Sequence, residues 1–392
     1  MPIAAPSAQT TPSVRIESID LMRGIAILLM IMGHTYDYLS YEAARFMGAS
    51  STLPLAMLNV DTTTAPVFFN RWITHIGAPV FLYLAGVGAY LWEHKGARRS
   101  LTGFLVSRGL LLIGLQAVRI VAQLLAPTHQ SSLDVLWCIG VSMILLAGVA
   151  RCPRPVLPWG AVVLLAGHGL PAMFDLPGHD SSAWRLLAAA HTFEFGGQAQ
   201  LFNRFPILPW FAMMLLGYAT GHLFRLPDAA RKRFFLRAAL ALGVTAIVLR
   251  AFNVDGFQPA WRFYPDTWQT VASFVNILKY PPSLYFSLAT MAQIFFLFFL
   301  MDAWNPRSAF VARLGSASLF IYILHIPVCK GLAVAVARMA EALGWPVPRE
   351  ALFSLPGVYA LATLALAAMY PLIVFYIHLK RTHRHIKVLG YL

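Results

Sequence analysis

Residues 19–38 read IDLMRGIAILLMIMGHTYDY, a 20-residue run that is apolar except for a few spaced polar groups. At 1.5 Å rise per residue, about 20 helical residues cross the hydrocarbon of a bilayer. Comparable apolar runs follow over roughly 73–92, 101–125, 133–149, 156–169, 207–224, 234–252, 285–304, 314–340 and 352–378. They predict an all-α fold, a polytopic integral membrane bundle of about ten transmembrane helices. The composition of the 392 residues agrees: 58% are hydrophobic and mean hydropathy is +0.65. Only 12% are charged, against roughly 25% in a soluble domain. Disorder and a soluble globular enzyme are both disfavoured. The first run also has the position of a signal peptide, but Asp20 and Arg23 lie inside it and no small-x-small site follows soon after His34.

The net charge of +14 has the sign of a nucleic-acid binder. Its distribution reads as topology instead, so no nucleic-acid partner is expected. With the N-terminus inside, the segments 1–18, 93–100, 150–155, 225–233, 305–313 and 379–392 hold 16 Lys+Arg in 64 residues. The opposite segments, 39–72, 126–132, 170–206, 253–284 and 341–351, hold 7 in 121. The positive-inside rule then places both termini in the cytoplasm. The inner loops are six to nine residues long, whereas three outer segments exceed thirty. Long ordered loops often build sites, so a substrate is expected on the outer face. The expected organisation is a disordered N-terminus over 1–14, one membrane domain over 15–380 and a basic tail over 381–392. There is no sign of an internal repeat.

Asp20, Arg23, Ile27, Met30, His34 and Asp37 follow 3-then-4 spacing and share one helix face. Four ionisable groups on one face of a membrane helix should point into the bundle or a wet cavity. Asp20 and Arg23 read either as an i,i+3 pair at the inner interface or as part of a site. His34 and Asp37 read either as a structural pair or as a catalytic or substrate contact. Arg23 and His34 are separated by eleven residues, about 16 Å of helix. His75 precedes Pro79, a residue suited to a first helical turn, so it is expected just before the second span at the depth of His34. Two imidazoles at one depth can exchange a proton; alone, each also reads as structural. Arg108 and Arg119 share a face of the third span with Gln116 and Gln123 nearby, and Arg119 needs a partner. His325 lies mid-span, one turn after Tyr322, as a polar helix contact or a site residue.

The three cysteines are isolated, and there is no GxSxG elbow, HExxH helix or Walker-type loop. No metal is expected. His34 begins an H-x-x-D pattern, which differs from the H-x4-D of glycerolipid acyltransferases.

Arg15-Ile-Glu-Ser-Ile-Asp20-Leu-Met-Arg23-Gly24, followed by an apolar span, resembles the start of the heparan-α-glucosaminide N-acetyltransferase catalytic-domain family, in its bacterial domain-of-unknown-function 1624 branch. Arg71-Trp-Ile-Thr-His75-Ile-Gly-Ala-Pro79-Val-Phe81, Leu84-Ala-Gly86 and Leu208-Pro-Trp210 to Gly221 are similar to further family motifs. Lys279-Tyr-Pro-Pro-Ser-Leu284 is similar to a bacterial motif, and Ser318 to His325 to the Tyr-x-x-His span of transmembrane acyltransferases. The resemblance implies a membrane acyltransferase in a bacterial inner membrane. It would take acetyl from cytosolic acetyl-CoA to an amino sugar or envelope glycan outside. The family's proposed catalytic histidine falls on His75. His34, where eukaryotic members carry Asn, would relay a proton or orient the acceptor, with Asp37 holding its ring. Asp20, Arg23, Arg108 and His325 would serve the donor. A proton-coupled transporter and an O-acyltransferase of a polysaccharide or lipid remain the alternatives, and a homodimer stays open.

Overall fold

A computed structural model of the chain describes residues 17–46, 60–95, 100–125, 129–196, 199–254, 260–276, 278–342, 354–383 and 385–386. The stretch expected to be disordered, 1–14, lies outside them, as does most of the expected tail over 381–392. Among the described residues, nine helices are long and apolar enough to cross a membrane, and a shorter apolar helix joins them. The expected all-α bundle is thus present.

The first span is α1 (Glu17–Phe46). The second starts earlier than its apolar run suggests. It comprises α2 (Ala65–Thr74) and α3 (Gly77–Glu93), with His75 and Ile76 between them. His75 is therefore inside this span and not just before it. The physical reason is that the polar residues of α2 find partners. Asn70 accepts from the Tyr359 hydroxyl at 3.0 Å, and Arg71 pairs with Asp37. The third span is α4 (Leu101–Leu124), and α5 (Val135–Val149) returns against it. The fifth expected run is split into α6 (Val156–Gly167) and α7 (Leu170–Met173). Then come α8 (Ser182–Ala188), α9 (Ile207–Thr220), α10 (Asp228–Ala251), α11 (Thr267–Val275), α12 (Leu284–Trp304), α13 (Ala309–Ser316), α14 (Ser318–Ala342) and α15 (Leu355–Thr382).

Helix approach is set by small residues, as is common in bilayers where dispersion drives helix contact. α3 packs on α9. A Cβ on Gly86 would collide with the Met214 carbonyl, and one on Gly217 with the Tyr83 carbonyl. Trp210, Tyr83 and Tyr218 are fully or almost fully buried in this seam. α1 lies centrally, against α3, α13, α14 and α15.

The short segment before α5 and the long segment before α9 meet in a small sheet that the apolar pattern gave no reason to expect. Its strands β1 (Gln130–Leu133), β2 (His191–Phe195) and β3 (Ala199–Asn203) run in the order β1-β3-β2. β1 and β3 are parallel, with Leu133 opposite Asn203. The Gln116 side chain donates to the Ser132 carbonyl at 2.8 Å, and Ser131 donates to Gln123 at 2.8 Å, fastening β1 to α4. The buried Asn203 amide donates to the Arg185, Leu186 and Ala189 carbonyls, which ties β3 to the end of α8.

Candidate active site

The basic end of the bundle, where the short loops lie, opens into a cavity of about 2210 Å³. Small-molecule pockets usually measure about 300–1,000 Å³, so this one has room for a large ligand. Asp20, Arg23 and Arg108, expected to serve the donor, line it, and so do Lys95, Lys232 and Lys380. Trp92 and Phe104 stack in its wall with centroids 4.4 Å apart. Asp20 and Arg23 also form the i,i+3 ion pair, at 3.7 Å. Arg231, in the basic segment 225–233, is committed to Asp302 by bonds of 2.7 and 2.9 Å between α10 and α12.

The cavity reaches Tyr322 on α14. His325, expected at the donor, lies one turn behind that tyrosine and is fully buried. From there a file of rings crosses the bundle. Tyr322 and His325 have centroids 5.4 Å apart, His325 and His34 5.1 Å, and His34 and Tyr38 6.2 Å. His325 Nδ1 is 3.2 Å from the Ile321 carbonyl. A carbonyl only accepts, so Nδ1 carries the proton and Nε2 of the neutral ring is left as an acceptor. That Nε2 is buried without a partner among the described residues.

His75 does not join this file. Its nearest ring contact is Phe286 on α12, with centroids 6.2 Å apart. The expected His34–His75 pair is replaced by His34–His325. The reason is helical phase: α1 turns His34 toward α14, while the break after α2 points His75 at α12. His75 is 3% exposed, and both of its ring nitrogens lack partners among the described residues. Burying such groups without partners costs about 1–3 kcal/mol each and calls for an explanation beyond packing.

The expected Asp37–His34 contact is also replaced. Asp37 pairs with Arg71 at 3.4 Å. Arg119 finds the partner it needed, Asp134, at 2.7 Å. Asp134 and Arg204 were not singled out by the sequence. Each follows a strand, Asp134 after β1 and Arg204 after β3, so the parallel register sets them side by side at 3.9 Å. Arg204 and Lys279 both lie over the Tyr280 ring, at 5.8 and 5.3 Å from its centroid. Burial, reinforced by the charge of Arg71, pulls the Lys279 ammonium down to about 7; Asp37 opposes this and Arg204 adds to it. Burial pushes the Tyr280 hydroxyl up to about 12. A signal for these residues did exist. The long-loop segments contain 7 Lys+Arg in all, and Arg71, Arg204 and Lys279 are three of them.

The site thus has a basic cavity at one end, a charged cluster at the other, and histidines between. No group of three or more metal-ligating side chains occurs among the described residues. A family model described as heparan-alpha-glucosaminide N-acetyltransferase, catalytic, matches residues 15–252. No curated protein matches the chain.

Proposed function

Since the chain belongs to the heparan-α-glucosaminide N-acetyltransferase catalytic family, a family of membrane acetyltransferases, we propose that it carries acetyl from acetyl-CoA in the basic cavity to a glycan amine or hydroxyl at the long-loop end. The observation that carries this reading is the ring file from Tyr322 through His325 to His34, which joins the two ends inside the bundle. The cavity suits the donor. Arg23, Arg108, Lys95 and Lys232 supply charge for phosphates, and the Trp92–Phe104 stack supplies an aromatic face. The arm of coenzyme A is about as long as the rise of about 16 Å from Arg23 to His34.

In the transfer the thioester C–S bond breaks and a C–N or C–O bond forms. The acceptor gives its proton to an imidazole, and the departing thiolate takes one up. His75 is the general base, or a transient acetyl carrier through one of its unpartnered nitrogens. His34 and His325 form a separate file, which supplies a proton to the departing thiolate and makes no ring contact with His75. Asp37 acts through Arg71, which it orients, and not through His34. The basic end faces the cytoplasm, and the membrane is a bacterial inner membrane. The test is acetyl transfer in proteoliposomes from radiolabelled acetyl-CoA to glucosamine and simple envelope sugars. His75→Ala, with folding and donor binding verified, is expected to lose at least about 100-fold in rate. A wild-type rate in that variant removes His75 from the chemistry. Transport of sugar without acetylation favours a carrier.

A further inference from the structure

Arg71, Arg119, Arg204 and Lys279 come from four different parts of the chain and meet around two carboxylates, Asp37 and Asp134. The carboxylates do not satisfy them. Asp134 is taken closely by Arg119 at 2.7 Å and reaches Arg204 only at 3.9 Å. Asp37 gives Arg71 a single contact at 3.4 Å, and Arg71 Nε is buried without a partner among the described residues. Lys279 has no hydrogen bond or ion pair with any described residue; its contact is the Tyr280 ring, which Arg204 shares. Like charges brought together away from bulk water repel strongly. Basic groups that only face solvent spread apart, whereas these are half-buried: Arg71 is 15% exposed in its side chain and Arg204 33%.

We propose that the acceptor carries an anionic group, a phosphate or a carboxylate, seated by Arg71, Arg204 and Lys279 close to His34. This inference rests on the acetyl-transfer reading and specifies its substrate class. Two guanidiniums and an ammonium offer the forked and point donors that such oxygens take up. Holding the anion there fixes the neighbouring amine or hydroxyl of the same sugar with respect to the histidines.

The experiment compares glucosamine, glucosamine 6-phosphate and an amino-sugar uronic acid with purified protein in nanodiscs of neutral lipid. Acceptor binding and acetyl transfer are measured separately. At least one anionic sugar is expected to exceed glucosamine in kcat/KM by at least about tenfold, the size of a charge-assisted contact. Arg204→Gln and Lys279→Met should each bring that ratio toward one, while Lys279→Arg keeps most of it. Unchanged thermal midpoints and donor binding identify variants that still fold. Equal kcat/KM for neutral and anionic sugars overturns the inference and leaves acetyl transfer standing. A preference that survives both variants also overturns it. Binding of anionic sugars that depends on Arg204 and Lys279, without acetylation of any sugar, supports the anion site and overturns acetyl transfer instead.

Discussion

By the resemblance, His34 stands where eukaryotic members carry Asn. Its ring is 5.1 Å from that of His325, whose Nδ1–H is directed at the Ile321 carbonyl. An amide at position 34 can still hydrogen-bond but cannot carry a proton. His34→Asn is therefore expected to lower kcat by about 10²-fold, the low end for general acid–base catalysis, with KM for the donor little changed. Equal losses in kcat and donor affinity would mark His34 as structural. Lys279 gives a second prediction. It titrates near 7 among Arg71, Asp37, Arg204, Tyr280 and His34. Its ammonium is present below that value and is lost above it. KM for an anionic acceptor should therefore rise as pH climbs past 7, and Lys279→Arg should flatten the rise. The same group bears on stability. The unfolded lysine holds its proton up to about 10.5, so the unfolded state binds more protons between 7 and 10.5. Stability should rise with pH over that window, and the rise should be smaller in Lys279→Met. A sequence reading singles out His34, His75 and His325 because polar groups in apolar runs stand out. It missed that Asp37 serves Arg71, because the choice between two nearby partners depends on how α2 packs against α1.

Apolar run length gave the number of spans, nine long ones and the shorter α5 among the described residues, because bilayer thickness imposes it. It gave poorer ends where protein, not water, satisfies a polar residue. Asn70 and Arg71 lie inside the second span because Tyr359 and Asp37 meet them. α5 can be as short as 15 residues because its N-terminal neighbour Asp134 is buried against Arg119. The meeting of Asp134 and Arg204 was least legible, since it depends on a parallel pairing of strands 70 positions apart, Gln130 with Gln200. Helix seams permit a test at the same scale. A methyl group on Gly217 has to displace the backbone of α3 at Tyr83. Gly217→Ala should lower stability by about 1–3 kcal/mol, the usual range for overpacking. Gly114 in α4 has nothing within 4 Å of its added Cβ. Gly114→Ala should be neutral or stabilising, since Ala is the better helix former by about 1 kcal/mol. Thermal midpoints in one detergent would separate the two, and equal shifts would mean the α3–α9 seam can relax.

The whole molecule is a two-ended device, and its chemistry depends on which end faces the cytoplasm. The segments between the spans are unequal in charge: one alternating set holds 16 Lys+Arg in 64 residues and the other 7 in 121, and the proposed orientation rests on this difference. The cavity assigned to the donor opens at the basic end, among Lys95, Arg225, Lys232 and Lys380. Under the proposed function this end faces the cytoplasm, where acetyl-CoA is made. The native cysteines can check it without any substitution. Cys138 and Cys329 are buried, whereas Cys152 is exposed in the short loop between α5 and α6, at the basic end. A membrane-impermeant maleimide should therefore label the protein once, at Cys152, in inverted vesicles and leave it unlabelled in intact cells or right-side-out vesicles. A cysteine placed at Asp180, in the long segment before α8, should show the opposite pattern. Labelling of Cys152 from outside would put the donor cavity on the side without coenzyme A, and no arrangement of the histidines would then rescue transmembrane acetyl transfer.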